Sequence, residues 1–251
     1  MSIFSEFSHP IVFAHRGASA HAPENTLAAF RLAAEHGADA IELDAKLSAD
    51  GQIVVFHDPT LQRTTGATGL LSSQPLSALK ELDAGSFFGP QFRGERIPTL
   101  AEVFEEVGQR LLINVELTNY STPKDNLPEA VVELIVRMGL QKRILLSSFY
   151  PDNLTRARQA LPDIPVGLLA MPGLNGLLSR SALSLKVSPQ FLHPHLRDAT
   201  ARLVRNGHKR HRRVHVWTVN RQEDMRRLFA DGVDGIFTDD PLLARQTLQN
   251  A

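Results

Sequence analysis

His15-Arg16-Gly17 stands at the end of the apolar run Ile11-Val12-Phe13-Ala14. Glu42-Leu43-Asp44 closes Asp39-Ala40-Ile41, and His57-Asp58 closes Ile53-Val54-Val55-Phe56. Each strand-like run therefore delivers an ionisable side chain where it stops. Glu42 and Asp44 are two apart, so on a strand they share one side. They would repel unless a cation or a proton separated them. Glu116 ends Leu111-Leu112-Ile113-Asn114-Val115 in the same manner. Three carboxylates at strand ends suit a hard divalent cation. Any one of them alone could equally cap a loop or pair with an arginine. Imidazole titrates near neutral pH, so His15 and His57 can divide the work of proton acceptor and donor. A guanidinium at Arg16 can grip a phosphate through two parallel hydrogen bonds, or pair with these acids. The set points to metal-assisted chemistry on an anion.

These groups need a frame that brings strand ends together. Strand-like runs at 11–15, 39–44, 53–57, 111–117, 143–148, 165–169, 190–193, 214–218 and 235–238 alternate with helical patterns near 26–36, 99–108, 127–138, 151–160, 198–206, 221–230 and 240–248. This βα alternation predicts a parallel sheet, and 251 residues suit a closed barrel formed as one domain over 1–251. In such a barrel the strand carboxyl ends open on one face, which is the active face. Nine strands are one too many for a simple barrel. Asp50-Gly51 between apolar runs is a hairpin signal, and an ordinary parallel strand is the alternative. On either topology His57 lands near Glu42 and Asp44. Residues 58–98 break the rhythm with Thr64–Gly69 and Gly85–Pro90, and read as an insertion, either a substrate-binding lid or a surface excursion.

Composition narrows the classes. Lys and Arg number 27, as do Asp and Glu, so zero net charge argues against a nucleic-acid surface without excluding a local phosphate pocket. Cysteine is absent, which removes disulfides, thiol catalysis and thiolate metal sites, and leaves a hard cation such as Mg²⁺ or Ca²⁺. Met1–Pro10, with Glu6 and His9, does not read as a signal peptide, and no apolar run has the length of a membrane span. The expectation is a cytoplasmic protein without stable membrane insertion.

The motifs, taken in order, resemble one family. His15-Arg16-Gly17, Pro23-Glu24-Asn25-Thr26, Glu42-Leu43-Asp44, Val55-Phe56-His57-Asp58, Asn114-Val115-Glu116-Leu117, Leu146-Ser147-Ser148-Phe149, Val216–Asn220 and Asp234–Pro241 are similar to the signature of glycerophosphodiester phosphodiesterases. The likeness covers about residues 11–242. It implies an α/β fold, a TIM (β/α)8 barrel with a small insertion after the strand ending at His57, here 58–98. It implies one Mg²⁺ or Ca²⁺ held by Glu42, Asp44 and Glu116, acid–base catalysis by His15 and His57, and phosphate binding by Arg16. The implied reaction is hydrolysis of a small glycerophosphodiester to glycerol 3-phosphate and an alcohol. A glycerol hydroxyl or a water could be the nucleophile. One departure stands out: many members carry Lys two residues after the third acid, where this chain has Thr118. Lys124 is the candidate replacement; an ordinary solvated loop lysine is the alternative.

Several residues carry two readings. Asn25 could support the metal or a histidine, and it could also cap a helix; Glu24 shares that ambiguity. Trp217, the lone tryptophan, could stack on substrate or pack the barrel mouth. His193 and His195 read as surface histidines, with one facing the pocket as the alternative, and Phe87 and Phe88 could wall the insertion. Arg205 to Arg213, rich in Arg, Lys and His, reads as a solvated face at the barrel's lower end, with a membrane or nucleic-acid contact as the alternative. Two other functions compete. A lysophospholipase D-type enzyme would need a long apolar groove or an amphipathic membrane-binding helix. A non-catalytic phosphodiester-binding protein would lack a metal acid or a histidine, and none is missing.

Overall fold

The computed structural model describes residues 4, 7–188 and 190–250. Met1–Ile3, Ser5 and Glu6 of the N-terminal run fall outside, as do Pro189 and Ala251. Among the described residues nine strands and ten helices follow in order: β1 (Ile11–His15), α1 (Leu27–Glu35), β2 (Ala40–Leu47), β3 (Ile53–Val55), α2 (Gln62–Thr65), α3 (Leu76–Glu81), α4 (Leu100–Val107), β4 (Leu112–Leu117), α5 (Leu127–Arg137), β5 (Ile144–Ser148), α6 (Pro151–Ala160), β6 (Val166–Ala170), α7 (Leu177–Arg180), β7 (Phe191–Pro194), α8 (Ala201–His208), β8 (Arg213–Val216), α9 (Gln222–Ala230), β9 (Gly235–Thr238) and α10 (Pro241–Gln249). Short 3₁₀ turns punctuate the longer connections.

Eight strands are parallel and run β1-β9-β8-β7-β6-β5-β4-β2, and β1 pairs with β2 to close the ring. The ninth resolves the surplus. β3 returns antiparallel against Ala45–Leu47 of β2, so the Asp50-Gly51 signal is a hairpin. Gly51 holds a positive φ of 76°, which suits glycine at a tight reversal. Three short helices, α2, α3 and α7, lie outside the helical patterns of the sequence, and α2 overlaps the loop-like Thr64–Gly69.

Alternation along each strand sorts the residues. Ile11 and Phe13 pack inside the barrel with Phe4, Ala40, Leu112, Leu145, Phe191 and Phe237. Val12 turns outward onto Val204, Met225, Leu228 and Ala244 of the surrounding helices. The inward parity continues upward along each strand. It passes from Phe13 to His15, from Ala40 to Glu42 and Asp44, and from Leu112 to Asn114 and Glu116. The barrel's own packing pattern therefore decides which side chains reach its carboxyl-end face.

Helices close the shell for local reasons. Thr99 opens α4 with a capping box, accepting from the Glu102 N–H while the Glu102 carboxylate accepts from the Thr99 N–H. Pro128, Pro151 and Pro241 stand in the first turns of α5, α6 and α10, where a missing N–H costs nothing. Residues 58–98 lie between β3 and α4 and gather a small core of Phe56, Leu61, Leu71, Leu79, Ala84 and Ile97. Among the described residues no helix is long and apolar enough to cross a membrane.

Candidate active site

The register brings the expected groups together. His15 lies opposite Glu42, Glu42 opposite Asn114, and Asp44 opposite Glu116. Oxygen atoms of Glu42, Asp44 and Glu116 lie within 4.8 Å of one another. His15, Arg16, Glu42, His57, Asn114 and Glu116 line one side of a cavity of ≈ 160 Å³, and Phe149, Leu169, Trp217 and Phe237 supply an apolar wall. That volume is room for roughly five waters.

Each histidine is held by a carboxylate. His15 Nδ1 is 2.7 Å from Asp239 Oδ1, and Asn220 Nδ2 donates to Asp239 Oδ2 at 2.5 Å. His57 Nδ1 is 2.6 Å from Asp58 Oδ1. Burial alone would raise Asp239, but the hydrogen bond and charge of His15, with hydrogen bonds from Asn220 and Ser19, together hold it below the usual carboxylate range. Hydrogen bonds from Arg63, and then from His57, lower Asp58 to about 2. Two ionised acids thus accept Nδ1–H and leave Nε2 of each ring for chemistry. His15 Nε2 is 3.9 Å from Glu42 Oε2.

Arg16 sits in a turn that fixes it. Its φ is 56°, its N–H donates to Glu42 Oε2 at 3.0 Å, and its Nη1 donates to Glu24 Oε1 at 2.9 Å. Gly17 follows at φ 85°, and a Cβ there would come within 2.6 Å of the Ala29 side chain. Only glycine lets β1 turn so close to α1. Asn25 also adopts a left-handed φ of 57°, and its Nδ2 donates to Asp44 Oδ2 at 2.8 Å. Its capping role goes instead to Thr26, which accepts from the Ala29 N–H. Arg63 ties the corner, donating to both Glu24 and Asp58.

The three acids are not equivalent. Burial, then Asp44 and Glu116, raises Glu42 well above the usual range. Burial and the Asp44 charge push Glu116 up to about 8, against an opposing hydrogen bond from Tyr120 at 2.7 Å. Burial would raise Asp44 too, but Arg16, His57, Lys46 and the Asn25 hydrogen bond hold it low. Such a cluster fits a divalent cation, whose charge would let all three ionise. Asn114 Oδ1, buried with no hydrogen-bond partner, lies in the same lining and could add a neutral oxygen.

Two expectations are corrected, the surface placement of His193 and the wholly solvated basic run. Lys124 is exposed and does not line the cavity. Asp125 folds its loop back by accepting from Asn119 Nδ2 and Thr122 Oγ1. The cation beside Thr118 is Lys46, whose Nζ donates to Thr118 O and Oγ1, both at 2.8 Å. It follows Asp44 by two residues and so shares its side of β2. His193 is fully buried inside the barrel, its ring centroid 5.2 Å from that of His215. His195 is half-buried, edge-on to Trp217. In the basic run, Arg212 is buried and donates to Ser184 Oγ and Phe191 O, so that run is not wholly a solvated face. Trp217 Nε1 donates to His193 O, so the ring packs the mouth while facing the cavity.

A family model described as the glycerophosphoryl diester phosphodiesterase family matches residues 15–243. This chain belongs to that family. A glycerophosphodiester phosphodiesterase of Caldanaerobacter subterraneus is 41% identical over 92% of this chain and 94% of its own length. A putative one of Bacillus subtilis is 37% identical over the same shares. Among solved structures, an Oleispira antarctica phosphodiesterase in complex with the product sn-glycerol-3-phosphate superposes with a TM-score of 0.90. That enzyme is 33% identical, and the match covers 99% of this chain and 100% of that one.

Sequence reasoning missed several polar residues of this phosphodiesterase. Asp58 and Asp239 sat within quoted motifs but were not singled out as partners of the histidines. His-Asp adjacency was a signal for the first. Nothing local marked the second, which lies 224 residues from His15. Tyr120, Lys46 and Arg63 carried no pattern that spacing alone could distinguish from surface chemistry.

Proposed function

We propose that this enzyme hydrolyses small glycerophosphodiesters to glycerol 3-phosphate and an alcohol, with a divalent cation, Mg²⁺ or Ca²⁺, as cofactor. The observation that carries the reading is the convergence of two carboxylate-held histidines, one arginine and three close carboxylates at one barrel mouth. Glu42, Asp44 and Glu116 would hold the cation, which when bound neutralises charge on phosphoryl oxygens. Arg16, set between Glu24 and Asp44, offers its guanidinium to the same phosphate. Glu24 and Asn25 act by orientation, the first on Arg16 and the second on Asp44. Lys46, rather than Lys124, adds positive charge beside Asp44 and Glu116.

Proton transfer falls to His15 and His57 through Nε2. One accepts the proton of the attacking oxygen, from a water or from a glycerol hydroxyl whose cyclic phosphate a water then opens, as that oxygen bonds to phosphorus. The other donates a proton to the departing alkoxide oxygen as that P–O bond breaks. Trp217 and Phe149 flank the position of the organic part. Residues 58–98 are the family's insertion, within a single domain spanning 1–251.

The direct test is glycerol 3-phosphate release from glycerophosphocholine and glycerophosphoethanolamine, first with EDTA and then with Mg²⁺ or Ca²⁺ restored. Metal-dependent release that disappears in Glu42→Ala supports the reading. Undiminished release in EDTA removes the metal from it, and no release under any condition defeats it.

A further inference from the structure

A separate hollow of ≈ 200 Å³ lies on the outer side of β7, along α8. Leu192 lines it, and points outward because neighbouring Phe191 points into the barrel. Arg180, Arg202, Arg210 and Arg212 line it as well, with Asp198 as its one acid. It shares no residue with the catalytic cavity. The sequence sets positive charge around it, because Asp198 is the only Asp or Glu between Asp163 and Glu223.

Asp198 is already engaged. It pairs with Arg180 at 3.0 Å and accepts from the Gly173 N–H at 2.8 Å. Arg180 also donates to Met171 O and Gly173 O. The other three arginines have no carboxylate partner among the described residues. Arg212 is buried; its Nη1 and Nη2 donate to Ser184 Oγ and Phe191 O, and its Nε has no hydrogen-bond partner. Burial, then the charge of Arg210, lowers Arg212 to about 10. Arg202, Asn206 and Arg210 are exposed and make no side-chain hydrogen bond or ion pair among the described residues. They recur every four residues along α8 and the turn that follows it, so they face one way.

Helix electrostatics explains only part of this arrangement. A cation suits the last turn of a helix, but Arg202 stands in the first turn of α8, which holds no acid. There it repels the positive helix end unless an anion joins them. A hollow with cations on facing walls also differs from the broad basic surface that a nucleic acid needs. We propose that this groove binds a short linear polyphosphate, either a free inorganic chain or the phosphate chain of a nucleotide. Arg202 and Arg210 stand about 12 Å apart along the helix axis and grip phosphoryl oxygens from the two ends of the groove. The Asn206 amide donates between them. That spacing suits a chain of phosphates better than a single one.

The test is isothermal titration of the full chain with tripolyphosphate and with ATP, at low salt and in EDTA, so that no metal bridges phosphates to the catalytic acids. The wild type is expected to bind tripolyphosphate. Arg202→Gln with Arg210→Gln should weaken binding by about tenfold or more, because each change removes a charge-assisted hydrogen bond. Both side chains are exposed and outside the catalytic cavity, so this pair should keep the wild-type Tm and the wild-type turnover of glycerophosphocholine. Arg16→Ala, at the catalytic mouth, should leave tripolyphosphate binding unchanged. ATP bound at least as tightly as tripolyphosphate assigns the groove to a nucleotide, and weaker ATP assigns it to a free chain. Absence of wild-type binding overturns the proposal, and so does equal binding by the arginine pair. Binding that Arg16→Ala abolishes also overturns it, since the anion would then sit in the catalytic mouth. Groove binding without glycerophosphocholine turnover in the wild type would instead strike the proposed reaction and leave the groove intact.

Discussion

At the scale of single residues, the carboxylate behind each histidine is as informative as the histidine. His15→Ala and His57→Ala should each lower kcat by about 10²- to 10⁴-fold, with unchanged circular dichroism. Asp239→Asn keeps the size and one acceptor but loses the charge that fixes the ring's tautomer. It should lower kcat by about 10- to 100-fold while leaving metal affinity nearly unchanged, as isothermal titration with Mn²⁺ would show. Equal losses in both would assign Asp239 a structural role. The histidines and acids were legible in sequence because strand ends expose residue type and parity. Asp239 as a partner was not, because only closure of β9 against β1 brings it to His15.

Elements place these groups, and two of their devices can be tested separately. Gly17→Ala would strain a left-handed turn and press on Ala29. It should cost about 2 kcal/mol or more and displace Arg16, so thermal stability and activity fall together. Thr99→Ala removes one half of the capping box of α4, remote from the cavity. It should cost about 1 kcal/mol, a drop in Tm of roughly 2–4 °C, with kcat unchanged. The hairpin is the clearest gain from structure. Asp50-Gly51 signalled a reversal, but only the pairing of Lys46 with Val54 shows that β3 lies outside the parallel ring. The helices of 58–98 and α7 are too short for periodicity to announce them.

The molecule as a whole carries a pH dependence that no element shows alone. His193 and His215 face each other in the barrel interior, among Phe13, Phe191 and Phe237. Burial, then the charge of Arg212, lowers His193 to about 3, and burial with His193 lowers His215 further below its ordinary value. Both stay neutral in the fold, while the unfolded chain binds protons below about pH 6.5. Their contribution is therefore fully present above that pH and is lost as pH falls toward about 3. Each adds a slope of up to about 1.4 kcal/mol per pH unit in that window. Urea midpoints for His193→Phe should show a shallower acid limb than the wild type; an identical limb would place the acid sensitivity elsewhere. Metal binding acts on the same balance. Saturating Mg²⁺ at about 100 times its Kd should add about 2.7 kcal/mol, seen as a Tm rise that EDTA reverses.

Sequence by itself determined the βα alternation, the barrel length, the parity of each strand and the identity of the ionisable strand ends. Those follow from local rules: a period of two on strands, turn chemistry, and the absence of thiols. It also carried eight motifs whose order matches one family. Tertiary structure decided which groups meet. Closure of the ring set Asp239 behind His15, the hairpin set Lys46 over Thr118, and packing sent His193 inward although a histidine usually stays near water. Those outcomes depend on contacts between residues far apart in the chain, and short-range pattern holds no information about them.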